Sequence, residues 1–202
     1  MKYNDKVKII IPIFILLLFV LYGCTKDFPL DKDLTKKNYI LFSQDSVEVN
    51  FPAIIKGNIA VIGFIYTHCP DICPMTTHNM YLTEERLKEE GINDVKFVAL
   101  SFDPGRDKPS VLKKFASIRN ISFKYWVLLT GDELIISDLL RRFDVKAIKA
   151  DSTYDNDGTL SYSVLHTDRI SLIDKNGTLK KNYKGSTVNI DELINDIKIL
   201  GE

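Results

Sequence analysis

The sequence predicts an α/β sandwich in which helices flank a mixed central sheet, and three observations predict this fold class. Apolar, β-branched runs at residues 59–66 and 95–102 have the composition of strands buried on both faces. Helical patterns separate such runs, as is typical of parallel strands joined by crossover helices. Two later strands flank the turn-forming residues 174–177, so the sheet is expected to be mixed.

In chain order, the first predicted element is an N-terminal β-hairpin with strands at residues 39–42 and 47–51. The buried strand at 59–66 leads into a helix over 74–90. This helix should end at Gly91, because glycine suits the left-handed position that follows a helix.

The next helix is expected to run from a cap at Asp107 to about residue 118. Pro109 falls in its first turn, where a missing N–H does no harm. The remaining predicted elements are a strand at 125–129, a helix at 132–143, a polar loop at 151–159, a strand at 169–173 with its partner after the turn, and a helix at 189–200. This order of strands and helices matches the thioredoxin-like fold.

Length, composition and charge point to one globular domain. The 202 residues are 45% hydrophobic and 27% charged, which is enough apolar material for a core. Basic and acidic residues number 27 each, so the chain lacks the strong positive charge of nucleic-acid-binding proteins. No nucleic-acid partner is predicted.

The N-terminus has the pattern of an export signal. Lysines precede an apolar stretch over residues 9–22, which is short for a span of a bilayer about 30 Å thick. The stretch ends in Gly23 and Cys24, which resemble a bacterial lipobox whose cysteine receives a diacylglycerol. We expect residues 1–23 to be a lipoprotein signal peptide, with an uncleaved signal anchor as the alternative. In both cases the rest of the chain lies outside the cytoplasm and is held at a membrane.

Two domain boundaries follow from this pattern. Residues 24–37 are polar and charged, and we expect them to form a tether. Residues 38–202 are expected to form the folded domain.

Cys69 and Cys73 lie between the strand at 59–66 and the helix at 74–90, where ligands and nucleophiles of open α/β sheets gather. The positive end of the helix should favour the thiolate. A C-x-x-C pair is usual in disulfide exchangers, whereas the C-x-x-x-C spacing leaves room to bridge or chelate a metal. The pair is predicted to be redox-active or metal-binding, and two inert buried cysteines are the alternative.

A third ligand is expected nearby, because two thiolates seldom complete a metal site. Of the three histidines, His68 should point away, His78 should lie on a helix surface, and His166 immediately precedes the strand at 169–173. In thioredoxin-like oxidoreductases the loop entering this strand carries a cis-proline that faces the thiols. All seven prolines here lie at or before Pro109. The corresponding position therefore offers an imidazole instead.

Three segments in this order resemble the Sco/SenC family of copper-binding, thioredoxin-like proteins. They are CPDICP at 69–74, SFDPGRDKP at 101–109, and His166 followed by ISLIDKNG at 170–177. The resemblance covers roughly residues 39–200.

The resemblance implies copper, as Cu(I) or Cu(II), bound by the sulfurs of Cys69 and Cys73 and a nitrogen of His166. It also implies that the cysteines are a redox-active pair and that a copper-accepting subunit of a respiratory oxidase is the partner. Leu165 stands where the family often has Asp.

The chemistry of these side chains agrees with that assignment. Soft thiolates select Cu(I), and one imidazole adds a ligand that suits Cu(II). Zinc would accept the same groups with a fourth ligand from Asp71 or water. Oxidation of the pair to a disulfide removes both sulfur ligands, so copper binding should depend on the redox state of the compartment.

Two classes of function remain open. The first is a metallochaperone that passes copper to the oxidase and receives electrons from a thiol reductant or copper from another carrier. The second is a thiol–disulfide oxidoreductase that reduces the cysteines of an acceptor protein. His166 and the spacing of the thiols favour the first.

Several other side chains are candidates for a place near the site. Asp103, Arg106 and Asp107 are expected to form a cap and a salt bridge, with partner docking as the alternative. Met75 and Met80 are expected to fill the core, although each could serve as a soft auxiliary copper ligand. Trp126, the only tryptophan, is expected in the core.

The lipobox predicts a modified N-terminus. Protein extracted from membranes should lack residues 1–23 and carry a lipid adduct on Cys24, as measured by intact mass. A Cys24→Ala variant is the control and should show no adduct. An unmodified chain that starts at Met1 with Cys24 free would contradict the prediction.

Overall fold

The structure, a computed structural model, describes residues 27–154 and 160–202. The predicted signal peptide and Cys24 lie outside this part. Within it, no helix is long and apolar enough to cross a membrane.

Strands and helices alternate over most of the described chain. The strands are β1 Lys32–Asp33, β2 Tyr39–Ser43, β3 Glu48–Phe51, β4 Ile59–Ile65, β5 Val95–Ser101, β6 Trp126–Thr130, β7 Ala147–Tyr154, β8 Leu160–His166, β9 Ile170–Ile173 and β10 Thr178–Tyr183. The α-helices are α1 Ile72–Glu89, α2 Pro109–Ile118, α3 Glu133–Arg142 and α4 Ile190–Gly201.

The central sheet has eight strands in the order β1-β10-β9-β4-β5-β6-β2-β3. Strands β4, β5 and β6 are parallel, whereas β9 pairs with β4 in the antiparallel sense. All residues of β4 and β6 are buried, as expected of strands covered on both faces. The predicted mixed α/β sandwich and the hairpin β2–β3 are confirmed.

Part of the predicted tether belongs to the folded unit. Strand β1 pairs with β10, the side chain of Leu34 is 1% exposed, and Arg142 donates a hydrogen bond to the carbonyl of Asp33. A two-residue strand and one buried leucine among charged residues produce no periodic pattern. The sequence therefore gives no sign that the fold begins before residue 38.

The prediction of a polar loop at residues 151–159 is wrong for residues 151–154. Residues 151–154 complete β7, which pairs with β8 in a separate two-stranded sheet. Most of β7 is polar and exposed, so it lacks the alternation of apolar and polar residues by which strands are recognised. His166 is consequently the last residue of a strand and lies opposite Ala147.

Asp107 does not cap α2, which corrects the prediction. The N-cap is Lys108, without a side-chain hydrogen bond, and Pro109 occupies the first turn as expected. The carboxylate of Asp107 is fully buried and points toward the loop before Cys69. By contrast, Asp132 caps α3 by accepting hydrogen bonds from two backbone N–H groups.

The predicted core residues separate into two groups. Trp126 is buried, stacks on Phe97 and donates a hydrogen bond to the buried carboxylate of Glu84 at 2.6 Å. Met80 is also buried. Met75, however, is 46% exposed and does not fill the core, because it lies on the outer side of the first turn of α1.

Replacing Leu34 with Ala tests whether this segment is part of the fold. We expect a loss of about 2–5 kcal/mol in the free energy of unfolding, measured by denaturant titration, because the substitution leaves a buried cavity. Leu134 is 80% exposed, so Leu134→Ala is the matched control and should change the free energy by less than about 0.5 kcal/mol. Equal effects of the two substitutions would show that the segment is not part of the core.

Candidate metal centre

The two cysteines meet at the start of α1. Cys69 lies in the loop after β4, and Cys73 lies in the first turn of the helix. The backbone N–H of Cys73 donates to Sγ of Cys69 at 3.4 Å. Both are free thiols; Cys73 is fully buried and Cys69 is half-buried.

His166 completes a three-residue group. Its Nε2 atom lies 3.7 Å from Sγ of Cys73 and 4.0 Å from Sγ of Cys69. The three ligand atoms all lie within 4.8 Å of one another. Among residues 27–154 and 160–202, no other group of three His, Cys, Asp or Glu side chains meets this condition.

These distances fit a single bound metal ion. Metal–sulfur and metal–imidazole bonds of about 2.3 and about 2.0 Å, at trigonal angles, separate the ligand atoms by about 4 Å. The sulfur–nitrogen distances of 3.7 and 4.0 Å are close to that value. The site therefore has the dimensions for two sulfur ligands and one nitrogen ligand without rearrangement of the backbone.

The ring of His166 is oriented by its surroundings. Its Nδ1 atom lies 3.2 Å from the carbonyl oxygen of Thr167. The ring centroid lies 4.6 Å from that of Phe102 and 5.9 Å from that of Tyr66. An Nδ1–H that donates to the carbonyl leaves the Nε2 lone pair facing the sulfurs, as metal-binding histidines require.

Burial controls the protonation of Cys73. The removal of solvent raises the pKa of its thiol well above the usual range. The sequence predicts easier ionisation at a helix N-terminus, but for Cys73 the effect of burial is the larger one. This thiol stays protonated at neutral pH until a cation arrives to stabilise the thiolate.

Asp107 holds the loop that carries Cys69. Its carboxylate accepts hydrogen bonds from the backbone N–H of Thr67 at 3.0 Å, from the Thr67 hydroxyl at 2.6 Å and from the Ser101 hydroxyl at 2.6 Å. Burial raises the pKa of Asp107, while these hydrogen bonds oppose that rise. The loop is therefore tied to the end of β5.

The other candidates lie apart from this group. His68 and His78 are exposed, as expected, and His68 contacts the hydroxyl of Thr67. Asp71 is exposed and is not in the three-residue group. The predicted salt bridge is present, because Nε of Arg106 lies 2.6 Å from a carboxylate oxygen of Asp103.

Sequence reasoning missed the aromatic side chains around the site. Tyr66 follows β4, Phe102 follows β5, and Tyr162 lies on the face of β8 that packs on the domain. An aromatic residue directly after each of two neighbouring buried strands was the available signal for the first two. For Tyr162 the available signal was the alternation of polar and apolar residues over 161–164, which places Tyr162 and Val164 on one face.

A thioredoxin-like domain with two cysteines and a histidine in this geometry defines a class of protein, the thioredoxin-fold metal-binding proteins. A model of the SCO1/SenC family matches residues 29–201. The chain belongs to that family.

Comparisons of sequence and of structure both find relatives in this family. The chain is 34% identical over 157 residues to a SCO1 protein homolog of Bacillus subtilis, covering 77% of each chain. It resembles the crystal structure of a SCO1/SenC family lipoprotein from Bacillus anthracis, at 33% identity and a TM-score of 0.74. That match covers 86% of this chain and 98% of the other.

Two further structures are informative about function. The first is ScoI of Bradyrhizobium japonicum with copper bound, at 27% identity and a TM-score of 0.67, covering 80% of this chain and 96% of that one. The second is BsSco, described as a member of the Sco family of cytochrome c oxidase assembly proteins with a disulfide switch. It matches at 29% identity and a TM-score of 0.69, covering 87% and 98%.

The two thiols should differ in reactivity. At neutral pH, iodoacetamide should alkylate Cys69 at least about tenfold faster than Cys73, because the reagent must reach the sulfur and reacts with the thiolate. Burial both raises the pKa of Cys73 and blocks the reagent. Peptide mapping by mass spectrometry gives the two rates. In denaturant, the control condition, both rates should be similar, and equal rates in the native protein would contradict the prediction.

Proposed function

We propose that the protein is a copper metallochaperone in which Cys69, Cys73 and His166 hold the ion. The observation that carries the proposal is the convergence of these three ligand atoms within 4.8 Å. Thiolate sulfur is a preferred ligand of Cu(I), and an imidazole extends the site to Cu(II). The copper-bound relative from Bradyrhizobium japonicum supports this choice of metal.

The charge of the ligand set explains how one site serves both oxidation states. Two thiolates give a net charge of about −1 with Cu(I) and about zero with Cu(II). Because Cys73 is protonated in the free protein, loading the ion releases a proton from this thiol. Copper affinity should therefore rise with pH through the neutral range.

We propose a copper-accepting subunit of a respiratory oxidase as the partner. BsSco, which is described as an oxidase assembly protein, supports this assignment. We also propose that a lipid on Cys24 holds the domain at the outer side of a membrane, with residues 1–23 as the signal peptide. The lipoprotein from Bacillus anthracis supports the anchor.

A thiol–disulfide oxidoreductase is the second candidate function. The observation that favours it is a half-buried, free Cys69 next to Cys73, which together form a dithiol open to exchange. The disulfide switch ascribed to BsSco concerns the same kind of chemistry in a relative. However, His166 lies where a substrate disulfide would approach, so the metallochaperone is preferred.

Copper retention and insulin reduction separate the two functions. We expect the reduced protein to retain one equivalent of copper after gel filtration, the oxidised protein to retain none, and insulin to be reduced only slowly. A variant carrying both Cys69→Ser and Cys73→Ser is the control for both assays. Rapid insulin reduction with no copper on the reduced protein would favour the oxidoreductase.

A His166→Ala variant tests the ligand set. We expect Cu(II) to bind about 10–100-fold more weakly while Cu(I) changes little, because two thiolates suffice for Cu(I). Competition titrations with chelators of each ion give the affinities, and His78→Ala is the control because His78 is exposed on α1. Unchanged Cu(II) affinity in His166→Ala would remove His166 from the site.

A further inference from the structure

Arg106 lies between Tyr66, which is near the cysteines in the chain, and Tyr162, which is on the strand that carries His166. The carbon at the centre of its guanidinium is 3.6 Å from the ring centroid of Tyr162 and 5.5 Å from that of Tyr66. Its NH1 group donates a hydrogen bond to the carbonyl oxygen of Tyr162 at 3.1 Å. Its Nε donates to the buried carboxylate of Asp103 at 2.6 Å.

The two tyrosines belong to the elements that carry the ligands. Tyr66 follows β4 and precedes Cys69 by three residues, whereas Tyr162 lies on β8, four residues before His166. The hydroxyl of Tyr162 donates to the same Asp103 carboxylate at 2.7 Å. Arg106 and Asp103 therefore connect the histidine-bearing strand to the end of the sheet from which the cysteines emerge.

This connection bears on the position of His166 because β7 and β8 form a sheet of their own. Within residues 27–154 and 160–202, no backbone ladder joins β8 to the eight-stranded sheet. Side-chain contacts contribute to the placement of β8: Val164 is buried in the core, and the half-buried guanidinium of Arg106 supplies both a planar stack on Tyr162 and a hydrogen bond to the backbone of β8.

We infer that Arg106 is a positioning residue that holds the β7–β8 hairpin so that His166 reaches the cysteines. The inference rests on the proposed function, because it takes Cys69, Cys73 and His166 to be the copper ligands. Arg106 is not itself a ligand. Arg106 affects the position of the His166 imidazole. It does not affect the two sulfurs, which are held by α1 and the loop before it.

The hydroxyl of Tyr162 stays protonated, so its hydrogen bond to Asp103 does not depend on pH in the physiological range. Burial and the hydrogen bond to Asp103 raise the pKa of Tyr162 to about 12. The hydroxyl therefore remains a donor at all physiological pH values, and the carboxylate of Asp103 keeps both of its partners.

Loss of this positioning should affect the two oxidation states differently. Cu(II) depends on the imidazole, so an unrestrained hairpin must be ordered each time the ion binds. Cu(I) is held by two sulfurs alone. Outer contacts that orient metal ligands typically change affinity by about 10–100-fold when removed, and we expect a Cu(II) loss in that range for Arg106→Met. The Cu(I) affinity should change less than about threefold, the scale of an ordinary surface substitution.

The experiment uses the reduced protein as extracted from membranes and measures Cu(II) and Cu(I) affinities together with nitrogen hyperfine coupling in the Cu(II) EPR spectrum. Arg106→Met removes both the stack and the hydrogen bond, whereas Arg106→Lys keeps the charge but not the planar group. Arg141→Met is the control, since the side chain of Arg141 is 71% exposed and pairs with Asp138. His166→Ala supplies the values expected when nitrogen is lost altogether.

The expected result is a selective loss of Cu(II) affinity and weakened nitrogen coupling in both Arg106 variants, with Arg141→Met unchanged. If Arg106→Met does not fold, Arg106→Lys alone decides. Equal losses for Cu(I) and Cu(II), or intact nitrogen coupling in a folded Arg106 variant, would overturn the inference while leaving the ligand set in place. Unchanged Cu(II) binding in His166→Ala would instead overturn the proposed ligand set on which the inference rests.

Discussion

The approach of His166 to the two sulfurs is the constraint on which the site depends. The sulfurs are held by α1 and the loop before it, but the imidazole comes from a hairpin outside the eight-stranded sheet. Separations of 3.7 and 4.0 Å persist only if the β7–β8 hairpin and the start of α1 keep a fixed relative position. Asp168, two residues after His166, also holds this region in place. Its carboxylate accepts hydrogen bonds from the Thr76 hydroxyl on α1 and from the backbone N–H of Ser186.

Burial limits the negative charge that the cysteine pair carries before an ion binds. Two thiolates beside each other in a partly buried site would repel, and the cost of removing Cys73 from water keeps its thiol neutral instead. The charge appears only with the metal that balances it. Asp107 is a buried carboxylate near the site, and three hydrogen bonds donated to it compensate its burial. At the proposed copper site, metal binding and deprotonation of Cys73 would thus be one event.

How far the sequence predicted these features depended on the strength of local patterns. Buried strands such as β4, the helix α1 and the cysteine pair follow from long apolar runs and from residue spacing. Most of β7 is exposed, so it lacks the alternation that identifies a strand, and β8 alternates only over residues 161–164 before the exposed Leu165 interrupts the pattern. Asp107 could equally cap a helix or enter the core, and only tertiary packing decides between the two. The proximity of His166 was predictable because its place before β9 follows from chain order.

The geometry also limits how the thiols can switch between metal binding and disulfide formation. In a disulfide the two sulfurs lie about 2.05 Å apart, whereas two sulfurs that bind the same metal ion lie about 4 Å apart. Cys73 is fully buried in the first turn of α1, and its carbonyl accepts a hydrogen bond from the hydroxyl of Thr77. It has little freedom to move. Cys69 is half-buried in the loop before the helix, and Asp107 holds Thr67 at the start of this loop, so we expect disulfide formation to move Cys69 rather than Cys73. Oxidation would then withdraw one sulfur from His166 while leaving the helix and the hairpin in place.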